Sequence, residues 1–169
     1  MKILLAVDGS AQSLEAVRFV VRLVDEGLQA SLVLANVQEP ASLYELVRLH
    51  DAQAIEQVSA GAAASALEVA RALLDRAEIG YEAEAASGAA APTLVELAER
   101  FGCDAVFMGA RGLGDSGMAG LGSVAHAVLN ASAVPVTIVK QATQADAGAE
   151  PDDDQPDAPA ARAPDAVSR

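Results

Sequence analysis

Five short apolar runs recur along the chain, with longer segments of helical character between them. The runs are residues 3–7, 32–37, 81–85, 104–108 and 134–139. Continuous runs such as the first are typical of strands buried on both faces of a parallel sheet. Residues 81–85 alternate instead, which favours an edge strand. Because Pro135 cannot donate to a ladder, the fifth run is predicted to lie at an edge or to start there.

Helix start and stop signals stand between these runs. Ser10 is placed to cap a helix that runs to about Glu26, with Gly27 at its end. One face of that helix carries Leu14, Val17, Val21 and Val24. Three more helices are predicted: residues 41–79, with a break near His50-Asp51 and an end at Gly80; a helix opened by Pro92 that runs through Arg100 and closes at Gly102; and residues 124–129.

This alternation of strands and helices predicts right-handed βαβ units, which build an open, mainly parallel α/β sheet with helices on both faces. Ligands of such sheets bind beyond the carboxyl ends of the strands. Asp8 follows the first strand, and residues 109–112 follow the fourth. We therefore predict that strands one and four are neighbours and that one ligand contacts both ends.

The amino-acid composition and net charge limit the classes of partner expected for this chain. The chain has 169 residues, 52% of them hydrophobic but only 3% aromatic, and a net charge of −13. This charge argues against nucleic acid and acidic membranes as partners. The single cysteine, Cys103, is read as a small buried hydrophobe and not as a reactive thiol. Only five apolar residues lie between Lys2 and Asp8, too few for a signal-peptide core, so we expect a cytoplasmic protein with no membrane span.

The composition changes after Lys140. Residues 141–169 contain no Ile, Leu, Phe or Tyr, and seven acidic residues stand against two basic ones. Such a segment buries too little apolar surface to offset its ordering entropy. We predict a folded domain over residues 1–140 and a disordered acidic tail over 141–169, with a docking or autoinhibitory arm as the alternative.

The densest glycine cluster lies between the fourth strand and the last helix, from Gly109 to Ser123. Glycine brings backbone N–H groups close to a ligand, and the start of a helix favours an anion such as phosphate. The loop is not a Walker A sequence, because no lysine precedes Ser123. It is not a dinucleotide fingerprint either, since it follows the fourth strand instead of the first.

Its spacing is G-x2-G-x9-G-S, from Gly109 through Gly112 to Gly122 and Ser123. This pattern resembles the signature of the ATP-binding branch of the universal stress protein family. The opening residues 3–10 and the closing segments 122–129 and 134–139 are similar to the same family. The resemblance covers about residues 1–140 and leaves the tail unexplained.

The resemblance implies a Rossmann-like, adenine-nucleotide α-hydrolase type of fold with strand order 3-2-1-4-5. It implies ATP, or another adenine nucleotide, with Mg²⁺ or Mn²⁺ held mainly by the phosphates, and a homodimer joined through strand 134–139. Asp8 is expected to contact the adenosine, and the backbone of Val37 to recognise adenine. The candidate binding residues are Asp8, Val37, Met108, Gly109, Arg111, Gly112, Gly122, Ser123 and Val124.

Alternatives stay open at several of these positions. Ser123 can cap its helix, and Asp8 can cap the first helix or hold a tight turn. Arg111 can pair with phosphate or with a surface acid. Asp115 can ligate a metal through water or be a solvated carboxylate. His126 is read as an exposed helix histidine in preference to a phosphate contact, and His50 has no partner pattern.

Gly114, Gly117 and Gly120 stand where family members often carry bulkier residues. They predict a loop that is mobile when empty and a weaker hold on phosphate.

No catalytic constellation and no metal-ligand spacing emerges from the sequence. The leading hypothesis is therefore an ATP-binding regulatory protein of the stress response. The alternatives are a slow ATP hydrolase and a dimeric interaction module whose nucleotide site is empty.

Overall fold

The computed structural model of the chain describes residues 1–39, 52–113 and 120–140. Five parallel strands form one sheet in the order β3-β2-β1-β4-β5. The elements in chain order are β1 (Lys2–Ala6), α1 (Ala11–Asp25), β2 (Ser31–Gln38), α2 (Ala52–Arg76), β3 (Tyr81–Ser87), α3 (Ala90–Arg100), β4 (Ala105–Gly109), α4 (Ser123–Ala131) and β5 (Val136–Val139). The predicted fold class and strand order are confirmed.

Alternate residues of the central strands supply two separate cores. Ile3, Leu5 and Leu34 face α1 and α2, where they pack with residues such as Val17 and Leu74. The intervening positions face α3 and α4 on the other side of the sheet: Leu4, Ala6, Val33, Ala35, Val106 and Met108. This burial on both faces is the reason why the first run is continuously apolar and the second and fourth runs are largely so.

Helix α1 agrees with its sequence signals. Ser10 is the N-cap, its side-chain oxygen accepts a hydrogen bond from the Ser13 amide at 3.1 Å, and Gly27 has a φ of +105°. The buried face is rotated slightly from the predicted one, because Val20 is fully buried while Val21 and Val24 are half-buried.

Most element ends differ from the predictions by one or two residues, and three cases have a clear sequence context. Pro92 is the third residue of α3 and not the first; this position needs no intrahelical N–H bond, so proline fits there. Strand β5 begins after Pro135 and lies at an edge of the sheet, as β3 does. Helix α2 ends at Arg76, a few residues before the predicted end. The predicted break near His50-Asp51 and the start of the helical region at residue 41 lie outside the described residues.

Burial of Cys103 raises the pKa of its thiol, because the thiolate loses hydration there. The residue packs with Leu97 and Val106 in the core on the α3 side, which confirms its reading as a small hydrophobe. Among the described residues, no helix has the length and apolar content needed to cross a membrane.

Candidate functional site

Strands β1 and β4 are adjacent, so the sheet brings their carboxyl ends together as predicted. A cavity of about 920 Å³ opens at this edge. All nine candidate binding residues line it, although they come from four separate parts of the chain: Asp8, Val37, Met108, Gly109, Arg111, Gly112, Gly122, Ser123 and Val124. The cavity has the size of a small-molecule site.

The Asp8 carboxylate joins the end of β1 to the loop after β4. Its Oδ1 accepts a hydrogen bond from the Ser10 amide at 2.9 Å, and its Oδ2 accepts one from the Leu113 amide at 3.1 Å. Asp8 therefore holds a tight turn, which was one of the alternatives. It does not cap α1, because Ser10 occupies that position.

Two of the motif glycines are sites of close approach. A Cβ on Gly109 would lie 2.7 Å from the backbone carbon of Gln12 and 2.8 Å from the amide nitrogen of Ser13, so only glycine lets β4 end against the first turn of α1. A Cβ on Gly112 would lie 2.5 Å from Asp8 Oδ2. At position 109 glycine thus allows β4 to pack against α1, and at position 112 it leaves room for the Asp8 carboxylate.

The two ends of the glycine-rich loop are tied together at its base. The Gly122 amide donates to the Ala110 carbonyl at 2.8 Å, and Arg111 Nε donates to the Gly120 carbonyl at 3.0 Å. Arg111 forms none of the ion pairs found among the described residues. The loop interior, with Gly114, Asp115 and Gly117, lies outside the described residues.

Helix α4 directs its N-terminus into the cavity. Its N-cap is Gly122, whose carbonyl accepts a hydrogen bond from the His126 amide at 2.9 Å. The alternative that Ser123 caps this helix is therefore ruled out, because Ser123 is already its first helical residue. The first amides of a helix have no intrahelical partner, so Ser123, Val124 and Ala125 present N–H groups at this end.

The opposite wall is apolar and comes from β2 and α3. Val37, Ala35 and Leu94 line it, together with Met108 from β4. Behind the wall, the fully buried Asn36 donates from Nδ2 to the Val7 carbonyl at 2.7 Å and accepts from Gln38 Nε2 at 2.7 Å. An apolar wall opposite a row of amide donors suits a flat base joined to an anionic group.

Sequence reasoning missed several lining residues, among them Gln38, Glu39, Leu94, Leu113 and Leu121. The polar Asn36 near the end of the second apolar run is a signal in the sequence that could have pointed to its neighbour Gln38. His126 is an exposed residue of the cavity lining, and Asn130 Nδ2 lies 3.2 Å from its Nδ1. In the described part of the chain, no cluster of three or more His, Cys, Asp or Glu side chains could hold a metal ion.

Comparison with known proteins extends this description. The sequence model of the universal stress protein family matches residues 1–140. A universal stress protein solved in complex with cAMP is 28% identical, with a TM-score of 0.62, and the match covers 82% of this chain and 96% of that one. No curated protein matches the chain.

Two further solved structures share the fold. UspA from Lactobacillus plantarum is 19% identical, with a TM-score of 0.69 and coverage of 82% of this chain and 97% of that one. A universal stress protein family protein from Arabidopsis thaliana, solved with AMP bound, is 18% identical, with a TM-score of 0.60 and coverage of 84% and 92%.

Proposed function

The chain belongs to the universal stress protein family, and on that premise we propose that it binds an adenine nucleotide in the cavity and has a regulatory role in the stress response. The ligand we propose is ATP, with Mg²⁺ or Mn²⁺ held mainly by its phosphates. The occupied or empty state of the cavity then biases dimer contacts or the recognition of a partner.

One observation carries this proposal. Nine residues scattered between positions 8 and 124 line a single cavity that has an apolar wall on one side and the N-terminus of α4 on the other. In this proposal the base packs against Val37 and Leu94, and the phosphates lie near Ser123 and Val124. The complexes of two relatives with cAMP and AMP support an adenine ligand.

The direct test is to denature the purified protein and identify any released nucleotide by mass. Calorimetric titration of the emptied protein with ATP and Mg²⁺ then measures the affinity. We expect an adenine nucleotide to copurify or to bind. If neither happens up to millimolar ligand, the proposed function is wrong.

A variant locates the ligand. Ser123→Glu places a carboxylate at the first position of α4. There it interacts favourably with the positive end of the helix macrodipole but repels a phosphate. We expect the nucleotide affinity to fall by about tenfold or more while the melting temperature stays near that of the unchanged protein. Ala127→Glu puts the same charge on an exposed position of α4 outside the cavity lining and is the matched control.

If Ser123→Glu binds the nucleotide as tightly as the control variant does, the phosphates do not lie at this helix.

Slow ATP hydrolysis remains the alternative hypothesis, and its assay is phosphate release compared between the unchanged protein and His126→Ala.

A further inference from the structure

The two outer strands of the sheet, β3 and β5, have edges of different character. Strand β3 has seven residues, Tyr81–Ser87, whereas β5 has four and follows Pro135. The register of β3 with β2 is continuous over all seven positions, and no residue of β3 has a positive φ. Strand β3 therefore lacks the proline or bulge that keeps other strands from pairing with an edge.

Backbone groups of β3 point away from the sheet at every second residue. The Gly88 amide donates to the Gln38 carbonyl at 3.0 Å, so the even-numbered positions face β2. Because neighbouring residues of a strand face opposite sides, the N–H and C=O groups of Ala83 and Ala85 point outward. No turn or loop among the described residues forms a backbone hydrogen bond with them. These groups are placed to bond with an added strand.

Small side chains occupy the α2 side of this edge. Ala83 and Ala85 are exposed, and Ala83 lies in register with Leu34, which belongs to the core under α1 and α2. A strand that pairs with β3 places its own side chains directly beside these two methyl groups. Bulky apolar residues at those positions of the added strand would extend the apolar surface that Leu34 begins.

Carboxylates occupy the α3 side. Lys2 Nζ donates to Glu82 Oε1 at 2.9 Å, and Arg100 pairs with Oε1 of Glu84. In the ion pairs found among the described residues, the Oε2 atoms of both glutamates take no part. The whole chain also has a net charge of −13. Lysine or arginine is therefore the favoured neighbour on this side of an added strand.

From the outward backbone groups and the chemistry of these two faces, we propose that β3 binds an extended segment of a partner protein as a sixth strand. In that segment basic residues alternate with bulky apolar ones. The basic side chains lie beside Glu82 and Glu84, and the apolar ones beside Ala83 and Ala85. None of these four residues lines the nucleotide cavity, so the interaction does not depend on the proposed function.

Peptide binding to the full-length protein is the first test. The probe is a labelled, end-capped heptapeptide of alternating lysine and valine, and fluorescence anisotropy measures its binding at low salt. We expect saturable binding. An alternating glutamate and valine peptide lacks the favourable charge, and a fully N-methylated lysine and valine peptide lacks every backbone donor, so both should bind at least about tenfold more weakly.

Each of these peptides can overturn the proposal. If the lysine and valine peptide does not bind up to millimolar concentration, β3 is not such a site. If the glutamate peptide binds equally well, the stated partner chemistry is wrong. If the N-methylated peptide binds equally well, the attraction is electrostatic and no strand is added.

Amide hydrogen exchange locates the peptide. In the free protein the amides of Ala83 and Ala85 should exchange rapidly, whereas those of Glu82 and Glu84, which bond to β2, should exchange slowly. Peptide at about ten times its dissociation constant should slow exchange at Ala83 and Ala85 by about tenfold and leave the other two unchanged. Protection of Ala83 and Ala85 before the peptide is added would show that the edge is already covered, and unchanged rapid exchange afterwards would place the peptide elsewhere. Either result overturns the proposal.

A proline variant tests the backbone contact from the side of the protein. Ala83→Pro removes one outward N–H and keeps the bonds to β2, so peptide affinity should fall by about tenfold. Ala83→Val keeps the N–H and is the matched control. Equal affinities of these two variants would overturn the proposal. The melting temperature shows whether Ala83→Pro folds; if it does not, Ala85→Pro with Ala85→Val repeats the comparison, and the N-methylated peptide makes the same test on the unchanged protein.

Discussion

At the residue scale, Gly109 and Gly112 belong to one motif but have different structural roles. A Cβ at position 109 would meet the backbone of Gln12 and Ser13, which cannot move without shifting the first turn of α1. A Cβ at position 112 would meet only the end of the Asp8 side chain, which can rotate away. The same substitution should therefore have different consequences at the two sites.

We predict that Gly109→Ala lowers the free energy of unfolding by about 1–3 kcal/mol, because it overpacks the contact between β4 and α1. Gly112→Ala should cost less stability, yet it should weaken nucleotide binding by displacing the Asp8 carboxylate. Urea unfolding measures the free energy of unfolding of both variants, and calorimetry measures their nucleotide affinity. Equal losses of stability in both variants would mean that the two contacts relax in the same way.

Residue identity alone could not separate these roles. The motif spacing predicts that Gly109, Gly112 and Ser123 belong to one site, and all three line the cavity. It could not show that Gly109 lies under α1 or that Gly122, in place of Ser123, caps α4, because both facts depend on how the helices pack. The contact of Asp8 with Leu113 joins positions far apart in sequence and left no local signal.

At the scale of elements, β5 is the outermost strand on its side of the described sheet. The amides of Val106 and Ala110 donate to the carbonyls of Pro135 and Val139. Because neighbouring residues of a strand face opposite sides, the N–H and C=O groups of Val136 and Ile138 point away from β4. These groups form an unpaired edge, which supports the predicted homodimer through residues 134–139.

We predict that the protein sediments as a dimer and that Ile138→Pro makes it a monomer. Proline removes the outward N–H at position 138 and leaves the bonds to β4 in place. Ile138→Ala loses the side chain but keeps this N–H, so it should remain dimeric at the same concentration. Analytical ultracentrifugation distinguishes the two, and a dimeric Ile138→Pro would assign the contact to another surface.

Elements were predicted more reliably than their ends. Apolar runs located the strands, because burial on one or two faces dictates that pattern, and helix start and stop signals located the helices between them. The observed boundaries differ from the predicted ones where a local sequence signal is compatible with more than one position in the element. Pro92 is an example, since the first turn of a helix accepts proline at more than one residue.

At the scale of the whole molecule, every residue of the two described cores lies between Ile3 and Val128. Partly buried residues up to Val139 complete these cores. Residues 141–169 lie outside the described residues, and their sequence supplies a single large aliphatic side chain, Val167. We therefore propose that residues 1–140 fold as the domain and that the acidic segment is an appended tail.

A chain that ends at Lys140 tests this division. We predict a melting temperature within about 1 °C of the full-length value and an unchanged affinity for AMP, because neither core nor cavity wall is removed. A fall of several degrees in melting temperature would instead show that the tail packs on the domain, which is the contact that a docking or autoinhibitory arm requires.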